Sequence, residues 1–216
     1  MELALYSLPF LWQGLLVTLA VSGLVVLLSL VAGILLGLVA TFAPWPMRWL
    51  VRIYCDIIRG IPVLVLIFTV YYGLSLFIGV DLNNLLAAVI ALTVFAAAKV
   101  TETARGALQS IHFGQTEAGK AIGLGFWPRM VYIIFPQAMR RFLPPWINNV
   151  TDMVKGSALV SLVGIVELLF AMKQVIGRVY EPMPIYVVGA LIYFLINYSL
   201  SSLSRRLEAR YAYIRE

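Results

Sequence analysis

Residues 3–47, LALYSLPFLWQGLLVTLAVSGLVVLLSLVAGILLGLVATFAPWPM, carry no charged side chain. A helix on the surface of a soluble protein needs a polar face opposite its apolar stripe, and this run has none to offer. From Leu15 to Phe42 it exceeds the roughly 20 residues that cross a bilayer. We read Leu15–Phe42 as a first transmembrane span, tilted or begun in the interface. Ala43-Pro44-Trp45-Pro46 ends it. The rest of the chain has the same character: of 216 residues, 62% are hydrophobic and 12% charged, against about 25% charged in an ordinary globular domain. The chain is therefore read as an integral membrane protein. Hydrocarbon admits only helices or closed barrels, and unbroken apolar runs lack the alternation of barrel strands. The expected fold class is all-α and polytopic.

Working outward, Arg48, Arg52, Asp56 and Arg59 recur at spacings of three and four, which is one face of a helix. Trp45 and Trp49 suit the headgroup level. A second span is expected from about Ile61 to Ile78, a turn at Asp81-Leu82-Asn83-Asn84, and a third span from Leu85 to about Leu108. A polar segment follows to about Arg141. A less clean fourth span lies within Val150–Met172, and a fifth runs from Ile185 to about Leu203, after Pro182 and Pro184. Cytoplasmic loops are enriched in Lys and Arg. Twelve of the sixteen such residues fall after spans one, three and five. That predicts five transmembrane helices with the N-terminus outside and the C-terminus cytoplasmic, in one domain over 1–216 with no room for a soluble one.

Several function classes lose their basis here. The net charge of +6 belongs to these loops, so no nucleic-acid partner is expected. One cysteine, Cys55, forms no intramolecular disulfide, and one cysteine with one histidine, His112, makes a poor metal site or embedded enzyme. The opening MELALYSLPFLWQG lacks the positive n-region of a cleavable signal. Gly114-Gln-Thr-Glu-Ala-Gly119-Lys120-Ala121 nearly spells a P-loop. However, Ala121 has no hydroxyl for magnesium, no strand precedes it, and Glu117 sits where phosphates would lie.

That segment has another reading. Glu117-Ala118-Gly119, then Gly123, Ile133 and Pro136 follow the EAA motif, EAA-x3-G-x9-I-x-L-P, with Gly119 in place of the second Ala and Phe135 in place of Leu. The motif belongs to the membrane subunits of bacterial ATP-binding-cassette importers. Arg59-Gly60-Ile61-Pro62 resembles the RGTP entry of the polar amino-acid importer permeases. Glu102-Thr103-Ala104-Arg105-Gly106-Ala107-Leu108 resembles their E-x-x-RGAL block. Pro136-Gln137-Ala138 with Leu143-Pro144-Pro145 and Asn149, and Leu207-Glu208-Ala209-Arg210, resemble two more. The blocks stand in family order over nearly the whole chain.

The resemblance implies a type I importer transmembrane domain working by alternating access. The cytoplasmic loop, 109–141, would hold the coupling helix that docks on a separate ATPase, through Glu117, Ala118, Gly119, Lys120 and Gly123. A stiff helix with small side chains at Ala118, Gly119 and Ala121 would let a partner groove approach closely. Gly123 suits the positive φ of a helix end, and Phe126-Trp127-Pro128 would start a second helix. The implied partners are an ATPase dimer, an external amino-acid-binding protein, membrane lipids and a second permease subunit, in the bacterial inner membrane. No cofactor is expected on this chain, ATP and magnesium belonging to the ATPase. A gradient-driven carrier or channel is the alternative. It needs no docking loop, and the two halves show no inverted repeat of the kind many carriers have.

Charges at membrane depth cost about 2.5–3.5 kcal/mol each at the helix centre, so they must pair, face a cavity or sit near the interface. Lys99, Glu102 and Arg105 lie three apart, where one helix face can carry a self-neutralising ladder. The competing reading puts Thr101 and Glu102 on the substrate path. Lys155-Gly156-Ser157-Ala158 occupies the place of the family's KDTS run. The missing acid at Gly156 favours a heterodimer over a homodimer, with Lys155 either meeting a substrate carboxylate or snorkelling. Asp152 and Glu167 are expected at a dimer interface or capping helix ends, and His112 in solvent.

Overall fold

The computed structural model describes residues 2–79 and 81–211. Among these, all regular structure is helical. Arg215, counted above among the cytoplasmic charges, lies outside the described residues. Helix α1 (Glu2–Phe42) is followed by α2 (Trp45–Gly60), α3 (Val63–Phe68), α4 (Leu74–Ile78) and α5 (Asn84–Gln109). Next come α6 (Phe113–Ala121), α7 (Phe126–Arg129), α8 (Phe135–Gly156), α9 (Leu168–Val179) and α10 (Pro182–Tyr211).

Among the described residues, three helices are long and apolar enough to cross a membrane, within Leu8–Phe42, Asn84–Gln109 and Pro182–Arg210. Two bent pairs raise the number to five if each counts as one span. The first span starts earlier than expected, because Pro9 and Gly14 do not stop the helix. Gly14 instead lets α9 approach: a Cβ there would lie 2.8 Å from Ala171 Cβ.

The second expected span, from about Ile61, begins at a bend, and the less clean fourth is interrupted. Ile61 is extended (φ −94°, ψ 130°) before Pro62, as the ring of a following proline demands. The chain turns by 103° between α2 and α3. A π-helical turn, Thr69–Gly73, then joins α3 to α4. The fourth is broken inside the expected span. The helix from α7 runs through a π turn (Met130–Ile134) into α8 and a 3-10 stretch (Ser157–Val163), ending at Gly164 with φ +84°. α9 restarts four residues later at a 53° bend. The second helix expected from Phe126 thus runs on without a break through Arg141, and Pro144 and Pro145 lie inside α8. One carbonyl near the prolines is satisfied from outside: Ser204 Oγ on α10 donates to Pro144 O at 3.1 Å. Borrowed donors of this kind let prolines stand within helices at membrane depth.

The centre is the α1–α5 pair. Ala88, Ala91, Ala96, Val100, Ala104 and Ala107 of α5 are buried, with Val21 and Val25 of α1. Small residues bring the backbones together where lipid supplies no hydrophobic drive. A Cβ on Gly33 would lie 2.5 Å from Val100 Cβ, and one on Gly37 2.7 Å from Ala104 Cβ. Both obstacles are anchored next to backbone and cannot swing away. Gly33→Leu is therefore expected to destabilise the fold by roughly 1–3 kcal/mol, read as a lower thermal midpoint in detergent. An unchanged midpoint would show that this contact is not close-packed.

Candidate coupling surface

α6 forms where the P-loop-like string occurs. Gly114 to Ala121 is helix, so its backbone N–H groups serve the helix instead of cradling phosphates. His112 is not merely solvated: its Nδ1 accepts from Gly114 N at 3.0 Å and caps the helix start. Sequence reading missed this because histidine is not among the preferred caps. The other end closes as a Schellman turn. Gly123 N donates to Lys120 O at 2.9 Å and Leu124 N to Gly119 O at 3.0 Å, with Gly123 at φ +79°. That matches the positive φ expected for Gly123.

The exposed face of α6 carries Glu117, Ala118, Lys120 and Ala121, and Gly123 follows, also exposed. Glu117 and Lys120 pair at 2.9 Å. Gly119 is a correction. It is buried, and a Cβ there would stand 2.9 Å from Arg129 Cδ and 3.1 Å from Ile133 Cδ1. Its small size serves contact with the chain's own next helix, not a partner groove. Arg129 Nη1 also donates to Leu124 O at 3.3 Å, so this arginine braces the turn. The sequence spacing did not single out Phe113 (70% exposed) or Ile122 (74%), which flank the acidic and small residues. Together with Glu117 and Lys120 they make the exposed side of this segment partly apolar and partly charged.

The segment is held from behind. Phe126 packs edge-on against Phe42 at the end of α1, with ring centroids 5.7 Å apart. Gln137 Nε2 donates to Gln115 Oε1 at 3.3 Å, and Arg141 Nη1 donates to Ser110 O. Motion of α6 is thereby linked to α1, α5 and α8.

The expected ladder on α5 is split by tertiary partners. Arg105 grips Glu102 with two bonds, Nη2–Oε2 at 2.6 Å and Nε–Oε1 at 3.3 Å, while Arg59 of α2 approaches it to 3.9 Å. Lys99 turns instead to Asp152 of α8 at 2.6 Å, and Lys155 joins that carboxylate at 3.1 Å. Asp152 is thus a bridge between α5 and α8, which no i,i+3 count could show. Glu102 lines a cleft of about 620 Å³ together with Gln137, Arg140, Arg141 and Glu208. Gly156 borders a small cavity of about 70 Å³ with Lys99, Asp152 and Phe95. Thr101 and Ser157 are fully buried, with hydroxyls donating to Ala97 O (2.7 Å) and Val154 O (2.8 Å). Neither lines the two clefts just named. Glu167 caps α9: it is fully buried and accepts from Phe170 N at 2.9 Å.

Residues 29–213 match the family of binding-protein-dependent transport system inner membrane components. The chain is 35% identical to the probable glutamine ABC transporter permease protein GlnP of Bacillus subtilis, over 94% of both chains. It is 34% identical to the glutamine transport system permease protein GlnP of Escherichia coli K12, again over 94% of each. The crystal structure of an amino acid ABC transporter with histidines superposes with a TM-score of 0.89 at 30% identity, covering 96% of each chain. The inward-facing MetNI methionine ABC transporter gives a TM-score of 0.74 at 22% identity, over 92% of this chain and 96% of that one, a likeness of fold. Five sequence blocks in family order, an exposed helix closed by Gly123, and a match over most of the chain place this protein in the family of inner membrane components of binding-protein-dependent transport systems.

Proposed function

We propose that this chain is one half of a transmembrane pathway for polar amino acids or their derivatives, opened and closed by alternating access. It is the permease subunit of a polar amino-acid ABC importer, and the finer reading concerns how it works. The observation that carries that reading is the braced, outward-facing α6. Its ridge of Glu117, Ala118 and Lys120, ended by Gly123 and backed by Gly119, is shaped to receive a groove on an ATPase subunit. ATP and magnesium sit on that partner, and this chain performs no chemistry.

The topology we propose has five spans, N-terminus outside and C-terminus cytoplasmic, in one domain over 1–216 of a bacterial inner membrane. The coupling loop is 109–141. An external binding protein delivers the substrate. The substrate path uses Glu102, Lys155 and Gly156, with Thr101 and Ser157 packed behind them. A heterodimer is favoured: a probable glutamine permease, GlnM, is 31% identical to this chain and occurs in Bacillus subtilis beside GlnP. The KDTS-like run here also lacks its acid.

Co-purification tests the assignment. The chain should bring down an ATPase subunit, and should hydrolyse no ATP without it. Intrinsic ATPase activity, or gradient-driven uptake by the chain alone in vesicles, would overturn it.

A further inference from the structure

Helix α2 presents three distinct faces. Val51 and Cys55 are buried against Leu36, Val39 and Ala40 of α1 and Ala98 of α5. On the outward side Trp49, Leu50 and Ile57 are 51%, 62% and 56% exposed. The third flank carries Arg48 and Arg52, one helical turn apart and both exposed. Beside them opens a cleft of about 130 Å³, lined by Ala40, Trp45, Arg48, Trp49, Arg52 and Gln109.

The charge here is only partly compensated: Arg52 feels the Glu102 carboxylate at longer range, without a salt-bridge contact. No carboxylate among the described residues lines the cleft. Among the described residues, neither Arg48 nor Arg52 has an ion-pair or side-chain hydrogen-bond partner; the neighbouring Arg59 and Arg105 both meet Glu102. Asp56, one turn beyond Arg52, is exposed and makes no ion pair within 4.0 Å of a cation. Gln109 accepts from Arg105 at 2.6 Å through its carboxamide oxygen, which leaves its NH₂ group as a third donor. Trp45 and Trp49 stack beside the arginines, with centroids 6.4 Å apart. Guanidinium forks match the oxygens of a phosphate. Tryptophans at this position belong to the water–lipid boundary.

Two requirements define the occupant. It must bring a delocalised anion to Arg48 and Arg52, and it must cover the apolar ledge that Trp49 and Ile57 leave bare. A soluble phosphate meets only the first, and a neutral zwitterionic lipid brings its own cation to a site already rich in cations. We propose that this cleft binds the headgroup of an anionic phospholipid, with the phosphate on Arg48, Arg52 and Gln109 and the acyl chains along the outward face of α2. The site lies toward the start of α2, whose far end meets α3 at the 103° bend.

The test uses the full chain in micelles doped with equal amounts of phosphatidylglycerol and phosphatidylcholine, with retained lipid read by native mass spectrometry. Two basic residues near an anionic headgroup predict a preference for phosphatidylglycerol on the order of tenfold. R48Q/R52Q should erase the preference, and R205Q/R206Q, at another basic site, should keep it. Excess inorganic phosphate should leave the bound lipid in place. Equal retention of the two lipids by the unaltered chain would overturn the proposal whatever the variants do. So would an undiminished preference in R48Q/R52Q, or displacement by inorganic phosphate, which would make this a site for soluble anions.

Discussion

Gly123→Pro should abolish ATP-driven uptake while the protein still inserts in the membrane. Gly123 stands at φ +79° and its N–H closes the end of α6 on Lys120 O at 2.9 Å. Proline has neither that φ nor an N–H, and such a conflict costs about 3 kcal/mol or more. In a rigid loop the cost falls on the geometry of the turn, so the conformation that presents α6 becomes rarer by on the order of 100-fold. Uptake, and stimulation of the partner's ATPase by the binding protein, should drop together. Insertion should not, because the spans are formed by other residues. Glu117→Arg tests the surface without touching the turn. It reverses one member of the Glu117–Lys120 pair and sets three positive or small positions against whatever received the carboxylate. Normal uptake with normal ATPase stimulation in both variants would sink the coupling role of α6.

Glu167→Ala should be the most damaging single change to stability. The side chain is fully buried, and its oxygens receive Phe170 N at 2.9 Å, Tyr193 Oη at 3.0 Å and, at 3.3 Å, Thr18 Oγ1, whose one proton is shared with Gly14 O at 3.1 Å. Thr18 Oγ1 in turn accepts from Leu168 N at 3.1 Å. One carboxyl therefore ties α1, α9 and α10 at the point where the chain restarts after Gly164. Truncation leaves a cavity and several unsatisfied polar groups, each costing about 1–3 kcal/mol, so a loss of roughly 3–5 kcal/mol is expected. Glu167→Gln, which keeps the acceptor oxygen, should lose less than Ala, and Tyr193→Phe about 1 kcal/mol. Thermal unfolding in detergent measures all three. A midpoint for Glu167→Ala within a degree or two of the unaltered protein would refute the network.

Much of the coupling surface was legible in the sequence. Gly123 announced a positive φ by its place after a short polar helix, and Glu117, Ala118 and Lys120 fall on the exposed face the motif led us to expect. Gly119 shows the limit. A small residue in a docking motif reads as room for a partner, yet here the room is filled by Arg129 from ten residues on. The same limit applies to Thr101, which shares its helix with Glu102 but lies on the buried side. Spacing along one helix says which residues are neighbours on it, and not which face another helix covers.

Membrane character, helical class and the position of the short polar helix at Phe113–Ala121 could be read from the residues alone. Each of these follows from local properties: uncharged length, absence of strand alternation, and a glycine where only glycine is unstrained. Which charges pair, and where the helices break, depends on contacts between distant parts of the chain. Lys99 prefers Asp152 of α8 to Glu102 of its own helix because the fold brings the two together at 2.6 Å. α8 runs on through Pro144 and Pro145, with Ser204 of α10 reaching the Pro144 carbonyl. In both cases the deciding partner is many residues away in the chain, where the energy of desolvating a charge or a carbonyl overrides the local rule.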